Sequence, residues 1–246
     1  MTTLALDRVT PTKRPQARVA GTQSWRNLLF LHWEVEAAQL RALVPPSLEL
    51  DLWEGTALVG LVPFEMRNIA PWWWPNPLAF NFLETNLRTY VHARGEPGVY
   101  FFSLEANSLL AVMAARAGFH LPYFPARMAR SDVNGDVHYQ SRRTMGPAAT
   151  LDVRYRMGEA LGPSAPGTLQ HFLLERYLLF TQSGGHLLRG QVFHTPYPAH
   201  AAQVTSLDET LTRAAGVAPL AQAPRYVHAS PGVDVEVFAL TRVAAR

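Results

Sequence analysis

The sequence predicts a mainly antiparallel β protein of the α+β class, a curved sheet or barrel with a few peripheral helices. Two observations predict it. Short apolar runs, about ten of them, recur along the chain between turn signals such as Glu54-Gly55 and Asn134-Gly135. Only three or four stretches carry helical spacing instead. A length of 246 residues is ordinary for one β-rich domain, and no linker or internal repeat divides it. We therefore expect a flexible N-terminal arm over residues 1–20 and a single domain over 21–246.

In chain order, Trp25 to Val35 reads as a strand and Glu36 to Val44 as a short helix ended by Pro45-Pro46. Leu48 to Trp53 and Thr56 to Met66 read as strands joined at Glu54-Gly55. Pro71 to Pro77 is a Pro-bounded loop holding Trp72, Trp73 and Trp74. Phe80 to His92 is a long strand, and Tyr100 to Leu104 is its partner across the Gly95-Glu96-Pro97-Gly98 turn. A helix capped by Asn107 or Ser108 stops at Gly118. Asn134-Gly135 joins two further strands, and Leu151 to Met157 forms another. Residues 158–167 read as a loop. Thr168 caps a helix expected to run to about Phe180, with Leu169, Phe172, Leu173 and Tyr177 on one face. Strands return at Leu187–His194, Arg225–His228 and Val233–Leu240.

Composition excludes several kinds of chemistry. There is no cysteine, so thiolate catalysis and Cys-based metal sites are impossible. Lys13 is the sole lysine and lies in the arm, so no lysine chemistry is available inside the domain. Basic residues are dispersed, which argues against a nucleic-acid partner. No run approaches the ~18 apolar residues of a membrane helix, and the first 20 residues lack a signal peptide's apolar stretch. A cytoplasmic protein without cofactor or metal is expected. His171 and Glu175 are spaced as two ligands on a helix face, but an ordinary surface pair is the simpler reading.

The most informative segment is the strand from Phe80 to Val91. Side chains alternate across a strand, so Phe82, Glu84, Asn86, Arg88 and Tyr90 share one face, and Leu83, Thr85, Leu87, Thr89 and Val91 the other. The polar face is either a solvent-exposed stripe or one wall of a polar-lined pocket, as the flanking aromatics favour.

Several runs together carry a family resemblance: Phe82 to Val91, Gly98 to Ala106, Ala114-Ala115-Arg116, Leu121-Pro122-Tyr123, Leu173 to Tyr177, His194 to Pro198 and Ser230 to Val235. With them the chain resembles the YqjF-like family of uncharacterised conserved proteins, domain of unknown function 2071. That family is similar in fold to acetoacetate decarboxylase, which implies a cone-shaped antiparallel barrel around a polar pocket. In the decarboxylase pattern a Pro-Lys-Lys segment supplies the Schiff-base lysine. Here Tyr123 and Phe124 follow Pro122 at the matching place, so imine chemistry is not implied. Glu84 matches the acidic residue of the preceding strand.

The resemblance and the alternation together nominate Glu84 and Tyr123 as catalytic candidates and Asn86, Arg88, Tyr90 and Arg116 as ligand-binding ones. Arg116 is read equally well as interacting with its own helix C-terminus, and Tyr123 as a packed residue with a satisfied hydroxyl. Arg176 lies on an apolar helix stripe, where a buried guanidinium needs a structural partner. Three functions remain open. One is acid–base chemistry on a small carbonyl or carboxylate compound. The second is non-catalytic binding of such a molecule, and the third is protein interaction through the Trp72–Trp74 loop.

Overall fold

The structure, a computed structural model, describes residues 6–71, 80–109, 112, 118, 120–217 and 223–244. The strands in chain order are β1 (Val19–Val35), β2 (Glu49–Leu50), β3 (Ala57–Pro71), β4 (Phe80–Ala93), β5 (Glu96–Ala106), β6 (Tyr123–Val133) and β7 (Asp136–Arg143). They continue with β8 (Thr150–Gly162), β9 (Leu178–Ser183), β10 (His186–Phe193), β11 (Ala199–Glu209), β12 (Tyr226–Phe238) and β13 (Thr241–Arg242). Among the elements fully described, three short α-helices accompany them: α1 (Ala37–Leu43), α2 (Leu169–Leu174) and α3 (Leu211–Ala214). All the described strands join one sheet.

That sheet closes on itself twice. β4 pairs with β5 and β10 with β12, which completes a ring β1-β3-β4-β5-β9-β10-β12. A second ring runs β5-β6-β7-β8-β11-β12-β1-β3-β4. The two share β1, β3 and β4, and they fork at β5 and β12. One edge of β5 pairs with β9 at Val99 and Tyr100 and with β6 from Leu104 to Ala106. One edge of β12 pairs likewise with β10 near Val237 and with β11 near Ala229. Because strand side chains alternate, each shared strand serves two interiors. Leu87 of β4 and Leu61 of β3 pack with Tyr139, Leu151 and Val153 in the second ring. Phe82 of β4 and Val62 and Phe64 of β3 face the first ring with Phe30 and Leu104.

Bulges keep this assignment intact where strands bend. The β4–β5 register shifts between Leu87 and Arg88, opposite Ser103 and Phe101. The inward residues of β5 therefore change from Val99 and Phe101 to Leu104 and Ala106. In β1 the shift falls between Arg26 and Leu31, where Asn27 takes a φ of 52°.

Several expectations are corrected. The helix capped by Thr168 ends at Leu174, not near Phe180, although Thr168 does accept the His171 N–H at 3.2 Å. Arg176 Nε instead donates to the Phe172 carbonyl at 2.7 Å, and Leu178 to Ser183 continues as β9. A short apolar run fits either period, and here pairing with β5 and β10 selects the strand. Residues 158–162, read as loop, extend β8. Ala199–Glu209, outside the expected strands, forms β11. The two expected strands after residue 224 form the single strand β12, running through Pro231-Gly232. Leu48 to Trp53 contains only the two-residue β2, which pairs with β4 and not β3; Trp53 and Thr56 form a lone bridge.

The N-terminal segment expected to be a loose arm is anchored between residues 7 and 14. Arg8 forms an ion pair with the buried Asp51, and the Asp7 N–H donates to the Gly95 carbonyl at 3.2 Å. Arg14 Nε donates to Glu236 at 2.6 Å, and Gln191 to the Pro11 carbonyl at 3.3 Å. Its prolines and charges mask this packing in the sequence, because each contact is made to a residue far along the chain.

The β5–β9 contact depends on a missing side chain. A Cβ on Gly98 would lie 2.7 Å from the Leu178 carbonyl oxygen and 2.8 Å from the Phe180 ring. Gly98→Ala is therefore expected to destabilise the fold by about 1–3 kcal/mol, because backbone must move to admit the methyl. Urea denaturation of the two proteins measures it, and an unchanged midpoint would show that β9 shifts freely.

Candidate functional site

The first ring encloses a cavity of about 430 Å³. Its lining is mainly apolar, from Trp25, Leu28 and Phe30 of β1, Val62, Phe64 and Met66 of β3, Phe82 of β4 and Phe101 and Leu104 of β5. This corrects the expectation of a polar-lined pocket: the polar members are few. They include Glu84, Asn86 and Arg88 of β4, Tyr123 of β6, Arg176, and Thr22 and Gln23 near the opening. β4 runs from the opening inward. Phe80 is 39% exposed, whereas Glu84, Asn86 and Arg88 are buried and Tyr90 lies beyond them at 1% exposure.

Glu84 sits where β4, β5 and β6 meet. Parallel pairing of β6 with β5 places Tyr123 beside Leu104, next to Asn86 on β4. The Tyr123 hydroxyl donates to Glu84 Oε2 at 2.7 Å. From the second ring, the Tyr139 hydroxyl donates to the Glu84 backbone carbonyl at 2.8 Å. Burial pushes the Glu84 carboxyl up to about 8, and the Glu105 charge adds to this, against the opposing hydrogen bonds from Tyr123 and Asn86. At neutral pH Glu84 is mostly the neutral acid. Burial, then the neighbouring Glu84, raises the Tyr123 phenol well above its ordinary value, so it stays a donor.

Arg88 has a different environment. Its side chain is buried, yet it makes no ion pair among the described residues. Its Nη2 donates to the Leu173 carbonyl at a long 3.4 Å, and its guanidinium lies 5.8 Å from the centre of the Phe30 ring. Arg88 Nε and Asn86 Oδ1 are buried with no hydrogen-bond partner among the described residues. Arg176 also lines the cavity but is committed elsewhere. Its Nη1 meets Asp51 at 2.7 Å, and Asp51 in turn holds Arg8, which is the structural partner a buried guanidinium requires.

Tyr90, expected among the binding residues, does not line the cavity. Its hydroxyl donates to the Leu173 carbonyl at 2.8 Å and lies 2.8 Å from His32 Nε2. His32 is neutral in this contact. Burial, with the Arg88 charge, holds it well below its usual value. This network closes the inner end of the cavity behind Arg88. Strand parity correctly sides Tyr90 with Arg88, but the turn of the chain at Leu173 covers it. Arg116 and Trp72–Trp74 lie outside the described residues. The His171–Glu175 pair is not a ligand pair: α2 ends before Glu175, whose carboxylate accepts from the Tyr177 hydroxyl at 2.7 Å and the Tyr197 N–H at 3.0 Å.

Sequence reasoning missed the contribution of β1. Trp25, Leu28 and Phe30 line the cavity, and the parity change at Asn27 hides their common face. Tyr197, on the Thr-Pro-Tyr-Pro segment, also lines it. Lys13 lies instead in a separate pocket of about 260 Å³ between the N-terminal segment and the sheet.

Among the described residues, no helix is long and apolar enough to cross a membrane. Comparison with solved structures agrees with the architecture. Acetoacetate decarboxylase from Legionella pneumophila superposes with a TM-score of 0.59 at 15% identity, covering 96% of this chain and 93% of that one. The enduracididine biosynthesis enzyme MppR complexed with pyruvate gives 0.58 at 12% identity, covering 94% and 93%. At these identities the likeness establishes an acetoacetate-decarboxylase-like fold. The uncharacterized protein YqjF of Bacillus subtilis is 39% identical over 222 residues, 89% of this chain and 91% of that protein. The family model of the uncharacterized conserved proteins, DUF2071, matches residues 22–234, and the chain belongs to that family.

Proposed function

We propose that the cavity binds a small organic carboxylate at Arg88 and presents its carbonyl group to Glu84 and Tyr123 for acid–base chemistry. The observation that carries this reading is the buried Arg88 guanidinium with no carboxylate partner among the described residues. A buried charge costs several kcal/mol unless it is paired, and a bound carboxylate would supply the pair in the geometry that arginine suits. Asn86 Oδ1, also unpartnered, lies between Arg88 and Glu84 on the same face. Solved neighbours are named as a decarboxylase and as a biosynthetic enzyme in complex with pyruvate, which agrees with a carboxylate ligand here.

Glu84 supplies the proton chemistry. With a value near 8, its acid and carboxylate forms are both accessible around neutral pH, which suits a general acid or base. The carboxylate form takes a proton from the carbon next to the carbonyl. The acid so formed returns it to that carbon or to the carbonyl oxygen, so the net change is keto–enol exchange. Tyr123 holds the carboxyl in place through its hydrogen bond. No imine route is open, because the sole lysine does not line the cavity.

Two measurements test this. Titration calorimetry with pyruvate and 2-oxobutyrate should give binding that Arg88→Ala weakens by at least tenfold. Proton NMR in D2O should show exchange at C3 of 2-oxobutyrate that Glu84→Gln abolishes. Binding that is indifferent to Arg88 would overturn the site. Binding without exchange would leave a non-catalytic carboxylate receptor.

A further inference from the structure

We infer that the carboxylate is the head of an amphipathic molecule, a medium-chain monocarboxylate whose apolar tail runs from Arg88 toward the cavity opening. This rests on the proposed carboxylate site at Arg88 and adds the class of ligand that fills the rest of the cavity. Three observations carry it.

The first is size. At ~30 Å³ for a water's share of liquid volume, 430 Å³ holds roughly 14 waters, and a three-carbon oxo acid would fill roughly half of it or less. The second is lining. Beyond the cluster of Glu84, Asn86, Arg88 and Tyr123 the walls are mainly apolar, and they run outward through Phe82 and Met66 to Ile69, with Thr22 and Gln23 as polar groups near the opening. A short polar substrate makes no use of such walls, and apolar contact with them is the ordinary source of affinity in ligand sites. The third is polarity along the axis. The cation with no ion pair among the described residues is at the inner end, where the Tyr90–Leu173 contact closes the cavity, and the half-exposed Phe80 marks the opening. Head-inward entry pairs the charge and leaves only apolar chain along the exit path. The opposite orientation would bury Arg88 against hydrocarbon.

The order of groups also sets where a functional carbon can sit. Glu84 lies four residues outward from Arg88, roughly 13 Å between backbone positions at ~3.3 Å per residue. Glu84 therefore addresses a carbon out along the tail, not the carboxyl carbon.

The test is a chain-length series. Binding of acetate, butyrate, hexanoate, octanoate and of n-octanol is measured by calorimetry, with the whole chain and with Arg88→Ala and Ala70→Phe. Ala70 is buried at the cavity wall near the opening. The expected result is about fourfold tighter binding per added methylene, the factor that ~0.8 kcal/mol per buried CH2 gives, or roughly 200-fold from butyrate to octanoate. Octanol should bind at least tenfold more weakly than octanoate, and Ala70→Phe should lower the octanoate-to-butyrate ratio at least tenfold. Arg88-dependent affinity that stays flat along the series would overturn the tail and leave the carboxylate site standing. A steep series that ignores Arg88, with octanol equal to octanoate, would overturn the head group at Arg88 and with it the proposed function. Should either variant fail to fold, the series and the octanol comparison on the unaltered protein decide both points.

Discussion

Replacing Glu84 with glutamine is expected to remove a pH-dependent destabilisation that grows as solutions become alkaline. The folded-state value near 8 lies above the ordinary 4.5. Between these two values the folded chain holds a proton that the unfolded chain has released, so stability falls as pH rises through the window. Below about pH 4.5 both states are protonated and Glu84 adds no penalty. Above about pH 8 the carboxylate is buried ionised and the penalty is complete, roughly 5 kcal/mol at 1.36 kcal/mol per unit. Glutamine keeps an acceptor for the Tyr123 hydroxyl and carries no charge. Melting curves of the two proteins should nearly coincide at pH 5 and separate progressively to pH 9, with Glu84→Gln the more stable. Parallel curves across that range would show that Glu84 titrates at an ordinary value, and would remove the basis for its acid–base role. A ligand carboxylate at Arg88 should leave the direction of this difference intact, because it acts at the inner end of the cavity.

The second large effect is expected at Arg143. Its guanidinium pairs with Glu105, with Nε at 3.1 Å from Oε1 and a closer contact through Nη2. It also lies 3.9 Å from the centre of the Phe124 ring. Both partners are buried, and Glu105 is fully so. Burial raises the Glu105 carboxyl above its usual range even with Arg143 opposing. Arg143→Met should cost about 3–5 kcal/mol, the range for breaking a buried pair and stranding one charge. The double variant with Glu105→Gln should recover most of the loss, since it strands nothing ionised. Urea midpoints measure both. A single variant as stable as the parent would mean that the strand β7 relaxes to let water reach Glu105.

These two carboxylates illustrate how the double ring divides labour. Glu84 and Glu105 stand near each other on adjacent strands, with Glu105 opposite Thr85 in the register. They therefore face different interiors. Glu105 has its own arginine and serves the fold. Among the described residues Glu84 has the Tyr123 phenol and the Asn86 amide as hydrogen-bond partners and no cation, and it keeps its free energy of ionisation close to balance at neutral pH. A family relative with the same alternation on β4 should show the same division, whatever ligand it takes.

What the sequence determined by itself was local and periodic. Period-two alternation from Phe82 to Arg88 was enough to place Glu84, Asn86 and Arg88 on one face, since a strand leaves no other choice. The Asn134-Gly135 turn followed from residues that tolerate positive φ, here 54° and 83°. The single lysine at position 13 removed imine chemistry before any fold was known. The rest depended on partners distant in sequence. Alternation cannot say whether a polar face meets water or a cavity; two rings sharing β4 decided that both its faces are interior. The run from Leu169 to Phe180 fits a helix until β5 and β10 offer backbone partners to its second half. Tyr90 belongs to the right face but reaches the Leu173 carbonyl, and Arg176 finds Asp51, 125 residues away. Arg88 has only a long contact to that same carbonyl and no ion pair among the described residues, and only tertiary structure can leave a buried charge in that position. Whether a charge is matched depends on every strand that closes around it, and no window of sequence contains them all.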